Sequence, residues 1–246
     1  MEPLTARPWL AALVLVALAH AVAALACLGW LATSATPIDG VHPAVKPLRF
    51  ALSIAVLLGS VAVVLRGQAG ADGARAAIAW TLVASMVVEM VIIVAQAVRG
   101  RASHFNLATP LDAVLWRVMA GAIVVGVVAL LALALLATVR PLVWSPLVAT
   151  AVRLGLWLLL LVAVSGFAMG GRGSHAVGAG DLRVPHFFAL HGLQALPLLA
   201  LALERMPLGS RLRWAGLAVG AALWTTVAVG TLAQALAGQA APSWLP

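Results

Sequence analysis

The chain reads as an all-α, polytopic membrane protein, a bundle of seven transmembrane helices forming one domain over residues 1–246. Three observations predict this. Hydrophobic residues make up 64% of the chain and charged residues 9%, where a soluble domain carries roughly a quarter charged. Apolar runs of about 20 residues, the length that crosses a bilayer core, recur along the whole sequence. The connections are short and hold the helix breakers.

Taken in order, the expected spans are Trp9–Ala32, Leu48–Leu65, Ala76–Val98, Ala113–Val139, Pro146–Met169, His186–Leu203 and Leu212–Leu236. Between them lie Pro37, Gly40, Pro43 and Pro47; Gly67 and Gly70; Pro110; Pro141; Gly170 to Gly180; and Pro207 with Gly209. Trp9, Trp30, Trp116, Trp144, Trp214 and Trp244 stand at or near run ends, where interfacial aromatics are expected. The first run continues past Ala24-Leu25-Ala26-Cys27, so an uncleaved first span is expected there. Cys27 is the single cysteine, which excludes an internal disulfide. The formal charge is +8, but the basic residues sit at span ends, where lipid phosphates receive them; nucleic acid is not an expected partner.

Seven spans place the termini on opposite sides of the bilayer. The Arg205, Arg211 and Arg213 cluster favours a cytoplasmic N-terminus and a periplasmic C-terminus, in the inner membrane of a bacterium. The first-to-second, third-to-fourth and fifth-to-sixth connections then share one face. That face holds His42, His104, His175 and His186, four of the six histidines, with His191 about a turn and a half below; the opposite face has arginines and no histidine.

An ionisable group at membrane depth costs a few kcal/mol or more, so it marks a candidate site. Glu89 lies mid-span, roughly 15 Å below the polar end of its helix. Gln96 is seven residues on, near the same face. Arg99-Gly100-Arg101-Ala102-Ser103-His104-Phe105-Asn106 follows, dense in hydrogen-bond donors, and Asp112 opens the fourth span as an N-cap or first-turn acid. Arg117 is expected to snorkel or to pair with an acid. Near the sixth span stand Asp181, Arg183, His186, His191 and Gln194. His186 and His191 are five apart and do not chelate from one helix face, whereas His191 and Gln194 share a face. Met86, Met90, Phe187 and Phe188 read as packing residues. Gly166–Gly170 and Gly216–Gly220 are small-xxx-small pairs that let helices approach.

The segments His42-Pro43-Ala44-Val45-Lys46-Pro47-Leu48-Arg49-Phe50, Ser103-His104-Phe105-Asn106 and Arg183-Val184-Pro185-His186-Phe187-Phe188 resemble those of uncharacterised bacterial seven-span membrane proteins, a resemblance that implies no activity. The order Ser103, His104, Asp112, His186, His191 also resembles seven-span zinc amide hydrolases of the ceramidase and adiponectin-receptor type. Those have a late His-x-x-x-His pair where this chain spaces its histidines one residue wider.

The residues themselves point to a site at the periplasmic end that binds a metal ion (Zn, Fe or Cu) or haem b, with His104, His186 and His191 as ligands. Glu89 and Asp112 would supply the catalytic acid or base, and Arg99, Arg101, Arg183 and Gln194 would hold an anionic partner, a quinone head or a lipid. The chemistry would be redox or metal-assisted. The alternatives are a proton- or ion-coupled transporter relaying through Glu89 and His191, and a non-catalytic sensor or partner subunit.

Overall fold

The computed structural model describes residues 7–240, so Trp244 lies outside the described residues. Each expected span is a helix: α1 is Pro8–Leu31, α2 Val45–Arg66, α3 Asp72–Val98 and α4 Pro110–Val139; α5 (Pro146–Trp157) and α6 (Leu159–Arg172) divide the fifth span, and α7 is Arg183–Arg205 and α8 Ser210–Leu236. Among the described residues seven stretches are long and apolar enough to cross a membrane, which makes the chain an all-α multi-pass membrane protein in a lipid environment. Several helices begin earlier than the hydropathy suggests, because their first turns are polar. Asp72 opens α3, Asp112 lies in the first turn of α4, and Arg183 opens α7.

The residues divide into two compact units, one of residues 1–66 and 70–129, the other of residues 67–69 and 130–246. In a bilayer, apolar surface has no water to escape, so helices associate through close packing and polar contacts. In unit 1, α3 buries Ile78, Leu82, Met86, Met90 and Ile93, spaced three to four apart on one stripe. Arg75, 2% exposed, closes the end of this unit where α3 starts. It donates to the Leu65 carbonyl at 3.1 Å, pairs with Asp72, and lies 5.5 Å from the centre of the Trp9 ring. Trp9, at the start of α1, is thus buried against a cation.

The link from α1 to α2 turns at Asp39-Gly40, both with positive φ, between mutual backbone hydrogen bonds of Ile38 and Val41. This is the geometry an Asp-Gly hairpin turn supplies. His42 pins the same link: its Nδ1 accepts from the Ala44 amide at 3.1 Å and its Nε2 donates to the Thr33 carbonyl at 3.1 Å.

Unit 2 is held by glycines at helix crossings. A Cβ on Gly155 would stand 2.5 Å from the Gly192 carbonyl oxygen, one on Gly216 2.9 Å from Leu203, and one on Gly220 would collide with Leu199. The Gly216–Gly220 pair thus serves packing of α8 on α7 within the chain. The helical ladder breaks at Leu158, three residues past the Gly155 crossing, where Leu161 bonds the Leu158 carbonyl in a tighter turn. Between α6 and α7, β1 (Ala176–Val177) pairs antiparallel with β2 (Gly180–Asp181). This hairpin packs on the end of α8, where Gly180 faces Ala235 too closely for any side chain. Leu182, Leu232 and Ala235 form the core beneath it.

Candidate functional site

The polar end of unit 1 is built by two helix termini. Helix α3 ends in a Schellman turn: Gly100 has φ +67, its amide bonds the Ala97 carbonyl at 3.0 Å, and the Arg101 amide reaches back to the Gln96 carbonyl at 2.8 Å. The reversal brings Arg99 and Arg101 back toward the start of α4. There Thr109 caps the helix, its Oγ1 accepting from the Asp112 amide at 3.1 Å and donating to Asp112 Oδ2 at 2.8 Å, with Pro110 as the first helical residue.

Asp112 is wholly buried. Its Oδ1 also accepts from Gln96 Nε2 at 2.9 Å and Arg99 at 3.2 Å, while Oδ2 lies 3.5 Å from an Arg101 nitrogen. Gln96, 0% exposed, passes the network on by accepting from Arg99 at 2.5 Å. One buried carboxylate thus holds two guanidiniums that remain 37% and 44% exposed, which leaves a surplus positive charge at the surface.

His104 sits beside this network in an aromatic setting. Its ring centroid lies 5.4 Å from Phe50, 5.6 Å from Trp116 and 6.0 Å from Phe105. Ser103 Oγ, buried, is 3.1 Å from His104 Nδ1. Phe105 takes a left-handed backbone with φ +56, a conformation costing a bulky residue on the order of 1–2 kcal/mol. Its ring contact with Trp116 at 4.7 Å and the Asn106 side-chain bond to the Ala102 carbonyl at 2.9 Å offset that cost. Burial, with Lys46 acting the same way, pushes the His104 imidazole down to about 3, so it is neutral at ordinary pH. Lys46, 6.0 Å from the Phe50 ring centre, exerts its charge on both His104 and Glu89. Glu89 itself is 7% exposed, two turns below Gln96. Arg117 is exposed and makes no ion pair among the described residues.

Unit 2 holds the remaining candidates in a different arrangement. Arg183 grips Asp181 through Nε at 3.0 Å to each oxygen and through a terminal nitrogen at 2.6 Å, and His175 faces the same carboxylate at 3.8 Å. Burial works to raise the Asp181 carboxyl, but the hydrogen bonds and charge of Arg183, with His175, hold it below its ordinary value. Arg183 is therefore committed to a neighbouring acid. Ser165, 0% exposed, donates to the Leu161 carbonyl at 2.8 Å and contacts His186 Nδ1 at 2.9 Å. With the hydroxyl proton so placed, the imidazole donates from Nδ1 and keeps an acceptor at Nε2. His191 packs on the Phe187 ring, one turn away, at 4.3 Å, and Gln194 is half-buried on its face of α7. Phe187 packs on His191 and Phe188 yet remains 45% exposed, while Phe188 also meets Trp224, whose Nε1 donates to the Phe188 carbonyl at 2.8 Å.

The expected ligand set of His104, His186 and His191 is split between the units. Among the described residues no group of three or more His, Cys, Asp or Glu side chains comes together to hold a metal ion. Thr109, Ser165 and the Gly100 turn are the site-building residues that sequence reasoning missed. Thr109-Pro110-Leu111-Asp112 carried a helix-start signal, with Thr as cap and Pro in first place. Nothing in the sequence marked Ser165, whose partner is 21 residues away. No protein-family model, curated protein or solved structure matches the chain.

Proposed function

We propose that this membrane protein binds an anionic amphiphile at the polar end of unit 1. The charge would lie on Arg99 and Arg101, and the apolar body beside Phe50, Phe105 and Trp116. One observation carries this reading. Asp112 neutralises only one of the two guanidiniums it positions, so a fixed, half-exposed cation is ready for a phosphate or carboxylate. Asp112 acts here as a positioning residue, and Gln96 orients Arg99. We place the chain in a bacterial inner membrane with a cytoplasmic N-terminus, on the arginine cluster Arg205, Arg211 and Arg213.

The test is binding to the detergent-purified chain, with inorganic phosphate in one arm and vesicles containing an anionic phospholipid in the other. Saturable binding that Arg99→Gln weakens at least tenfold supports the reading. Preference for the vesicles identifies a lipid headgroup, and preference for phosphate a soluble anion. Binding to neither overturns it.

A second reading, a metal ion or haem at the histidines, has one observation in its favour. Ser103 and Ser165 each hold an imidazole by Nδ1, the kind of tether that presents Nε2 to a ligand. A visible spectrum with elemental analysis of the purified protein tests it. A Soret band or stoichiometric metal, lost in His186→Ala, would move the assignment to redox or metal-assisted chemistry.

A further inference from the structure

The anion site leaves Glu89 unused. The residue is 7% exposed, mid-span in α3, and among the described residues its carboxyl has no hydrogen bond or ion pair. Lys46, from α2, is the charged group that acts on it. The other titratable groups of unit 1 are otherwise placed. On α1, Cys27 is buried, and His20 donates from Nδ1 to the Val16 carbonyl at 2.7 Å. Its buried Nε2 has no hydrogen-bond partner among the described residues. On α2 Arg49 is exposed, and on α4 Asp112 is tied to the arginines and Arg117 is exposed.

An ionised carboxylate without hydrogen bonds inside a bilayer costs several kcal/mol unless a cation or a proton compensates it. Lys46 supplies part of that compensation, and the same ammonium acts on His104, beside the anion site. We propose that Glu89 is a proton-exchange site within the membrane, taking up a proton when the arginine end of unit 1 takes its anion. The second half rests on the anion-binding reading. An anion seated at Arg99 and Arg101 opposes the field of Lys46. Glu89 then gains a proton from solvent, and the carboxylate becomes a neutral acid with no other bond made or broken. By reciprocity, the anion binds more tightly at lower pH, by about fivefold or more across the titration of Glu89.

Infrared difference spectroscopy of the purified full chain tests both halves. A pH titration without any anion should show a protonated-carboxyl band that Glu89→Gln removes and Glu89→Asp shifts. Sulfate, which does not titrate in this range, is then added in weak buffer with a pH dye. Wild type should take up protons and strengthen the band, and Glu89→Gln should bind sulfate without uptake. A band that survives Glu89→Gln, or the absence of any such band, overturns the proton site. Sulfate binding without proton uptake in wild type overturns the coupling. Where sulfate does not bind, vesicles containing an anionic phospholipid replace it in the same uptake measurement; binding to neither removes the anion-binding reading and the coupling with it, while the titration without anion still decides whether Glu89 exchanges a proton.

Discussion

The two units each end in a polar cluster with one carboxylate, and they use it in opposite ways. In unit 1 Asp112 is wholly buried, accepts from Thr109 and Gln96, and holds two arginines. In unit 2 Asp181 is 30% exposed, bonds one arginine in full, and faces His175. The first cluster ends with charge to spare. The second is balanced within itself, with a guanidinium 58% exposed that water also solvates. An acid–base pair of matched charge on a surface contributes little to stability and attracts little. A buried acid beneath two cations anchors both guanidiniums and leaves net positive charge at the surface. Counting charged residues does not separate the two ends; burial of the acid does.

The largest effect that would break this contrast is expected at Asp112. Asp112→Asn removes the charge that two arginines surround and disturbs the α4 cap, and should lower the unfolding temperature of the purified protein more than any other change named here. Asp181→Asn, made alongside, should cost under about 1 kcal/mol. Equal losses would erase the distinction drawn between the ends.

Next comes acid sensitivity in unit 1. His104 titrates at about 3 in the folded chain and near 6.5 when unfolded. The unfolded state therefore binds the proton first. The stability this group contributes is full above about pH 6.5 and is lost as pH falls toward 3, on the order of a few kcal/mol across that window. His104→Gln should flatten this part of the stability curve, and an unchanged slope would mean the imidazole is not held neutral.

A smaller effect sharpens the functional side. Arg99→Gln should weaken binding of an anionic probe about tenfold, or roughly 1.4 kcal/mol, with little change in melting temperature. The smallest is Arg183→Gln, expected to leave anion affinity within about twofold and stability within about 1 kcal/mol. A large loss of affinity there would shift the anion site to unit 2.

The fold was legible because span length and apolar composition alone dictate a membrane helix, and among the described residues each of the seven stretches overlaps an expected span, several starting about a turn earlier. The break at Leu158 was not legible, since no proline or glycine stands at Leu158 itself to mark it. The candidate residues were legible for a similar reason to the spans: Glu89, Gln96, Arg99, Arg101, His104 and Asp112 are conspicuous in an apolar chain. Their partnerships were not. Asp112 looked like a helix-start acid, and is one, but its role as counter-ion depends on the Gly100 turn reversing α3 onto α4.

Composition and run length mark which segments lie in lipid and which residues are too polar to be there without a reason. Those properties are local, since transfer from water to hydrocarbon is summed residue by residue. Which of the charges are spent emerges from how the folded chain brings them together. Asp181 and Arg183 satisfy each other two residues apart, whereas Asp112 is shared by arginines 11 and 13 residues away and by Gln96, 16 away. Electrostatic compensation depends on distance and burial in space, and neither is a property of any stretch of chain read alone.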